Sequence, residues 1–158
     1  MQPCTRRVFI GFVPFTALTL SGCMKQAEGA EDIHYSRESC TMCGMIISDP
    51  HFATEIRSAK DKALVKFDDF GCAAQWLKSA KWEDADIAEF WVMNSDDGTT
   101  WLDARKASFT SGAITPMDYG YAAVTDARSG AVTFEEARKA VLSKGLSSRC
   151  LEPDVSKT

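Results

Sequence analysis

The chain has 158 residues, 45% hydrophobic and 10% aromatic, with a formal charge of −4. That length fits one domain, or two small units sharing a core. The acidic balance, which deepens to −6 once Arg6 and Arg7 of the leader are discounted, excludes the basic footprint of a nucleic-acid binder.

Residues 1–22 read as a bacterial signal peptide. They hold Arg6 and Arg7, no acidic residue, and an apolar run from Val8 to Leu20. Gly11 and Pro14 interrupt that run, and it is shorter than the roughly 20 residues a spanning helix needs. Thr5-Arg6-Arg7-Val8-Phe9-Ile10 serves equally as an ordinary positive n-region or as a twin-arginine export motif. The run ends in Leu20-Ser21-Gly22-Cys23, which resembles a lipobox. Acylated Cys23 then begins the mature chain, and each buried acyl methylene adds about 0.8 kcal/mol of membrane affinity. Met24 follows, with no aspartate to signal inner-membrane retention, so the expected location is the outer membrane, facing the periplasm.

Residues 23–34 are small and polar and read as a lipid-anchored tether. The folded domain is placed at 35–146, as units of about 35–98 and 99–146, and 147–158 is a polar tail. His51 to Arg57 reads as a strand, Ser58 to Asp61 as a turn, and Lys62 to Asp68 as a second strand. Asp68 or Asp69 caps a helix whose face is Phe70, Ala73, Ala74 and Leu77. Ile87 to Asn94 is a third strand, ended by Ser95-Asp96-Asp97-Gly98. Asp103 to Thr110 and Tyr121 to Asp126 read as strands. Thr133-Phe134-Glu135-Glu136 is a capping box opening a helix with Phe134, Ala137, Val141 and Leu142 on one face, closed by Gly145. The second half thus echoes the first three elements of the first. Short turns between strands point to an α+β fold of two ββαβ-type units with mostly antiparallel pairing.

The chemistry concentrates in Cys40-Thr41-Met42-Cys43-Gly44-Met45. Two thiols and two thioethers within six residues suit a soft monovalent metal such as Cu(I). Cys43 and Met45 are two apart, so in an extended segment both project to one side, and Gly44 lets the backbone bend close. Four other readings stand beside metal binding. Cys40-x-x-Cys43 is also a redox dithiol pattern, although it precedes a strand instead of opening a helix. It is also half of a zinc site, although no second closely spaced Cys/His pair follows. Cys40 and Cys43 can pair in a structural disulfide with each other or with Cys72 or Cys150. Met42 and Met45 can be plain core. Cys72 begins the apolar helix and reads as a small core residue. His34 and His51 flank the motif, and His51 is a weak candidate ligand. Met117, in a loop punctuated by Pro116 and Gly120, is a candidate distant thioether. Asp68 and Asp69 read as caps, not as catalytic carboxylates.

Cys23 of the lipobox, Cys40-x-x-Cys43-Gly44-Met45, Phe67-Asp68-Asp69-Phe70-Gly71-Cys72 and the Pro116-Met117 loop with Gly120 together resemble the NosL family, copper-binding accessory lipoproteins of nitrous oxide reductase. The resemblance runs from about Tyr35 to Leu142. It implies two ββαβ-type units, a fold shared with organomercurial lyase. It implies a Cu(I)-binding protein, not an enzyme, that supplies the catalytic copper-sulfur centre of nitrous oxide reductase. Carried onto this chain, it makes Cys43 and Met45 the leading copper ligands and Met117 a third, with Cys40, Met42 and His51 ranked below. The runner-up function is a periplasmic thiol-disulfide oxidoreductase using Cys40 and Cys43.

Overall fold

The structure, a computed structural model, describes residues 28–149. The signal peptide, the tether's first residues 23–27 with the lipobox Cys23, Cys150 and most of the tail lie outside the described residues. The element order is β1 (Thr54–Ser58), β2 (Leu64–Phe67), α1 (Phe70–Ala80), β3 (Ile87–Met93), β4 (Trp101–Asp103), β5 (Ser108–Ser111), β6 (Tyr121–Val124) and α2 (Phe134–Lys144). A 3-10 turn at Pro50–Phe52 occupies the start of the stretch expected to be a strand from His51. Proline at its head and the Asp49 side chain, which accepts from the His51 N–H, favour a turn there over an extended ladder.

The fold is α+β. One sheet runs β2-β1-β3-β4 and the second is the pair β5-β6. Every strand pair is antiparallel. The stretch 103–110 is not one strand. Its head, Asp103, ends β4, which pairs with β3, and its tail forms β5. Between them Asp103 turns the chain: its carboxylate accepts from Arg105 N–H at 3.1 Å, and its carbonyl from Lys106 N–H at 2.9 Å and Ala107 N–H at 3.0 Å. The first unit therefore reads ββαβ, with β4 added at its edge. The second reads ββα among the described residues.

Local chemistry explains both helices. Asp69 caps α1 by accepting from Gly71 N–H at 2.6 Å, and Lys81 ends it in the left-handed region. Its apolar positions Phe70, Ala73, Ala74 and Leu77 are all buried. Thr133 and Glu136 form the reciprocal capping box of α2. Phe134, Ala137 and Val141 are buried on its inner face. Gln75 of α1, itself buried, donates to the carbonyls of Val141 at 3.1 Å and Gly145 at 2.9 Å, which satisfies the end of α2.

One core joins the two units. Phe70 of α1 stands 4.5 Å from Phe109 of β5 between ring centres, and Phe90 of β3 stands 5.3 Å from Phe134 of α2 edge-on. Strand β1 has two different faces. Ile56 lies in the core. Glu55 and Arg57 point the other way and are covered by the segment ahead of residue 33. There Glu31 N–H donates to Glu55 at 2.9 Å, and Arg57 donates to the Gly29 carbonyl at 2.7 Å.

Candidate metal centre

A narrow hairpin ahead of the first strand carries the Cys-x-x-Cys segment. Ser39 and Ile46 bridge antiparallel, Ile47 N–H donates to the Glu38 carbonyl at 2.9 Å, and Cys40 N–H to the Met45 carbonyl at 2.8 Å. Gly44 N–H closes the tip on the Cys40 carbonyl at 2.9 Å, with Gly44 at φ +73. That left-handed residue costs a side chain dearly and glycine almost nothing. Thr41 N–H donates to the Lys66 carbonyl at 2.9 Å, which pins the tip to β2 beside the corner where β2 turns into α1.

This corner delivers a third thiol. Cys72 sits in the first turn of α1, and the sulfurs of Cys40, Cys43 and Cys72 all lie within 4.8 Å of one another. All three are free thiols. Cys40 and Cys72 are buried and Cys43 is half-buried, so the cluster opens to solvent on the Cys43 side. Among the described residues this is the one group of three His, Cys, Asp or Glu side chains placed to hold an ion.

The sulfurs differ in acidity. Cys40 is pulled down to about 2 because the thiols of Cys43 and then Cys72 donate to its sulfur, joined by the backbone N–H groups of Cys43 and Asp68. Cys43 is pushed up to about 11, first because its proton is held on Cys40. Cys72 is pushed up for the same reason, with burial adding to it. The cluster therefore carries one thiolate, at Cys40, solvated by two thiols. Two buried carboxyls border it. Burial first, then the Cys40 charge against a Ser48 N–H contact, raises Asp68 to about 6, and one of its oxygens has no partner. Asp69 is raised chiefly by burial while holding Gly71 N–H and Met117 N–H.

The sequence candidates fall into place unevenly. Cys40 and Cys43 come together. Cys72 is the core residue expected, fully buried, and its sulfur also completes the cluster. Sequence spacing carried no signal for that second role. The extended geometry expected to align Cys43 with Met45 is absent: residues 41–43 form a turn and Gly44 reverses the backbone. Met45 is 45% exposed at the rim, beside Ile46 at 53%. Met42 packs partly buried against the core. Met117 is fully buried, and its N–H donates to Asp69 at 3.3 Å. His51 is outside the cluster. Its Nδ1 donates to the Ser95 carbonyl at 2.8 Å and its far edge faces Gly98.

No family model matches the sequence, and no curated protein matches it either. The structure superposes on the crystal structure of the copper chaperone NosL from Shewanella denitrificans with a TM-score of 0.52 and 16% sequence identity. The overlap covers 75% of this chain and 87% of that one. The fold is the NosL fold. The three sulfurs are soft ligands of the kind a soft metal ion takes. No described helix is long and apolar enough to cross a membrane.

Proposed function

We propose that this protein is an exported, lipid-anchored carrier that binds one Cu(I) at Cys40 and Cys43 and delivers it to the copper-sulfur centre of nitrous oxide reductase. The observation that carries the reading is the cluster of three free sulfurs within 4.8 Å, open on one side, in a fold shared with a copper chaperone. Cu(I) accepts two soft ligands, and two thiolates give a complex with one net negative charge. A third thiolate would add a second charge beside Asp68 and Asp69, where burial makes charge costly. Cys72 therefore keeps its proton in the copper state. Met45, exposed beside Cys43, offers a thioether for hand-off, and Met117 is the inner thioether candidate.

The Cys-x-x-Cys pattern also belongs to thiol-disulfide oxidoreductases. Those enzymes need a thiolate that is both acidic and reachable. Here the two properties are separated: Cys40 is acidic and 2% exposed, while the reachable Cys43 is pushed up to about 11. That favours carriage over exchange.

The test is a transfer experiment. Cu(I)-loaded protein is mixed anaerobically with copper-free nitrous oxide reductase, and the reductase is re-isolated. Copper and the spectrum of the copper-sulfur centre should appear in the reductase with wild type and not with Cys43→Ser. Equal loading by both, or none by wild type, removes delivery from the proposal. The anchor is tested separately, because Cys23 acylation shows directly in the mass of the mature N-terminal peptide, and an unmodified peptide beginning elsewhere excludes it.

A further inference from the structure

We propose that the Cys40–Cys43–Cys72 cluster also captures trivalent, thiol-seeking oxyacids of the arsenous acid class, and that this ligand, unlike Cu(I), uses all three sulfurs. The inference rests on reading the cluster as a soft-ion site.

Three observations support it. The three sulfurs lie within 4.8 Å of one another, so one small centre reaches all of them. They come from two segments locked together, the hairpin tip and the first turn of α1, joined through the Thr41 to Lys66 backbone bond at 2.9 Å. The half-buried Cys43 leaves a way in for a small neutral molecule, while Cys40 and Cys72 lie behind it.

Charge then separates the two ligands. Arsenous acid, As(OH)3, condenses with three thiols to give As(S-Cys)3 and three waters. At each step an As–O bond breaks, an As–S bond forms, and the thiol proton leaves with hydroxide as water. Where Cys40 is already a thiolate, solvent supplies that proton. No electron is transferred and no oxidant is needed. The product is neutral. Cu(I) on three thiolates would carry two negative charges against buried Asp68 and Asp69, but a trivalent centre on the same sulfurs carries none. A buried site bordered by carboxyls therefore accepts the third sulfur only from the ligand that cancels its charge.

The test compares three probes on reduced protein and on Cys72→Ser: sodium arsenite, which has three exchangeable hydroxyls and can take three thiols; phenylarsine oxide, which can take only two; and Cu(I). Wild type should take one arsenic from arsenite, and native mass spectrometry should show it bound with loss of all three hydroxyls. Cys72→Ser should bind arsenite about 100-fold more weakly, because one preorganised intramolecular ligand is gone. It should still take phenylarsine oxide, which reports an intact Cys40–Cys43 pair, and should keep Cu(I) within a few-fold. Equal arsenite affinity in the two proteins overturns the proposal. Wild type that takes Cu(I) but not arsenite also overturns it and leaves copper carriage standing. Failure with both ligands removes the reading of the cluster itself. If Cys72→Ser does not fold, arsenic X-ray absorption on wild type decides alone: three sulfurs support the proposal and two overturn it.

Discussion

The Asp69 carboxylate holds Met117 and the start of α1 at once. It accepts from Gly71 N–H at 2.6 Å and from Met117 N–H at 3.3 Å. One buried side chain thus fixes both the turn that carries Cys72 and the loop that carries the inner thioether candidate. Asp69→Ala removes a cap and leaves buried donors unpaired, and should cost about 3 kcal/mol in urea unfolding. Cu(I) affinity should fall as well, although residue 69 is not a ligand. A change below 1 kcal/mol would mean that Asp69 does not organise this corner.

Gly71 lies under Tyr119. A Cβ there would overlap Cβ and Cγ of Tyr119, atoms close to its backbone, so Tyr119 would have to shift. Gly71→Ala should therefore destabilise by about 2 to 3 kcal/mol. It should disturb near-ultraviolet dichroism more than far-ultraviolet dichroism, because packing shifts while the helix survives.

The parts of the fold visible in the sequence are those set by neighbours in the chain. Asp69 as a cap, the Phe70, Ala73, Ala74 and Leu77 face, and the Thr133–Glu136 box depend on residues within a turn or two. The pairing of Cys40 with Cys43 is equally local. Cys72 is different. Its sulfur joins the cluster only because a hairpin 30 residues earlier docks on the β2–α1 corner through Thr41 and Lys66, a relation no spacing encodes. Cys43 and Met45 do not share one extended segment, because Gly44 at φ +73 turns the chain out of the form that alternation assumes. The break between β4 and β5 is not legible from alternation, because Asp103 lies in a strand-like pattern yet accepts turn bonds from Arg105, Lys106 and Ala107.

Glu55 should make stability fall as pH rises. Burial is the main reason that its folded value is raised from 4.5 to about 7; Glu31 adds to this, while Glu31 N–H, Lys66 and Arg57 oppose it. With the folded value above the unfolded one, the folded state holds the extra proton between them. The stabilisation is complete below the unfolded value and is lost as pH climbs through the folded one. Across about pH 4.5 to 7 this amounts to about 3 kcal/mol. Glu55→Gln should flatten the unfolding free energy in that window. Asp68 is shifted in the same direction, so part of the slope should remain. An unchanged slope in Glu55→Gln would exclude this group as its source.

Copper uptake should release a proton. Cys40 is already a thiolate at pH 7, while Cys43, pushed up to about 11, is not. Binding through both sulfurs then displaces about one proton per Cu(I). A weakly buffered anaerobic titration with a pH indicator measures it directly. Release of about two protons would mean that Cys72 also ionises. Cys43→Ser should release almost none.

The most direct test of the central claim is an anaerobic Cu(I) titration against a competing chelator, comparing wild type with the Cys40→Ser/Cys43→Ser double variant. Wild type should bind one equivalent tightly, and the double variant should be weakened about 1000-fold or more, since both thiolates are lost together. A double variant that binds Cu(I) as tightly as wild type would place the copper elsewhere and contradict the assignment of this cluster.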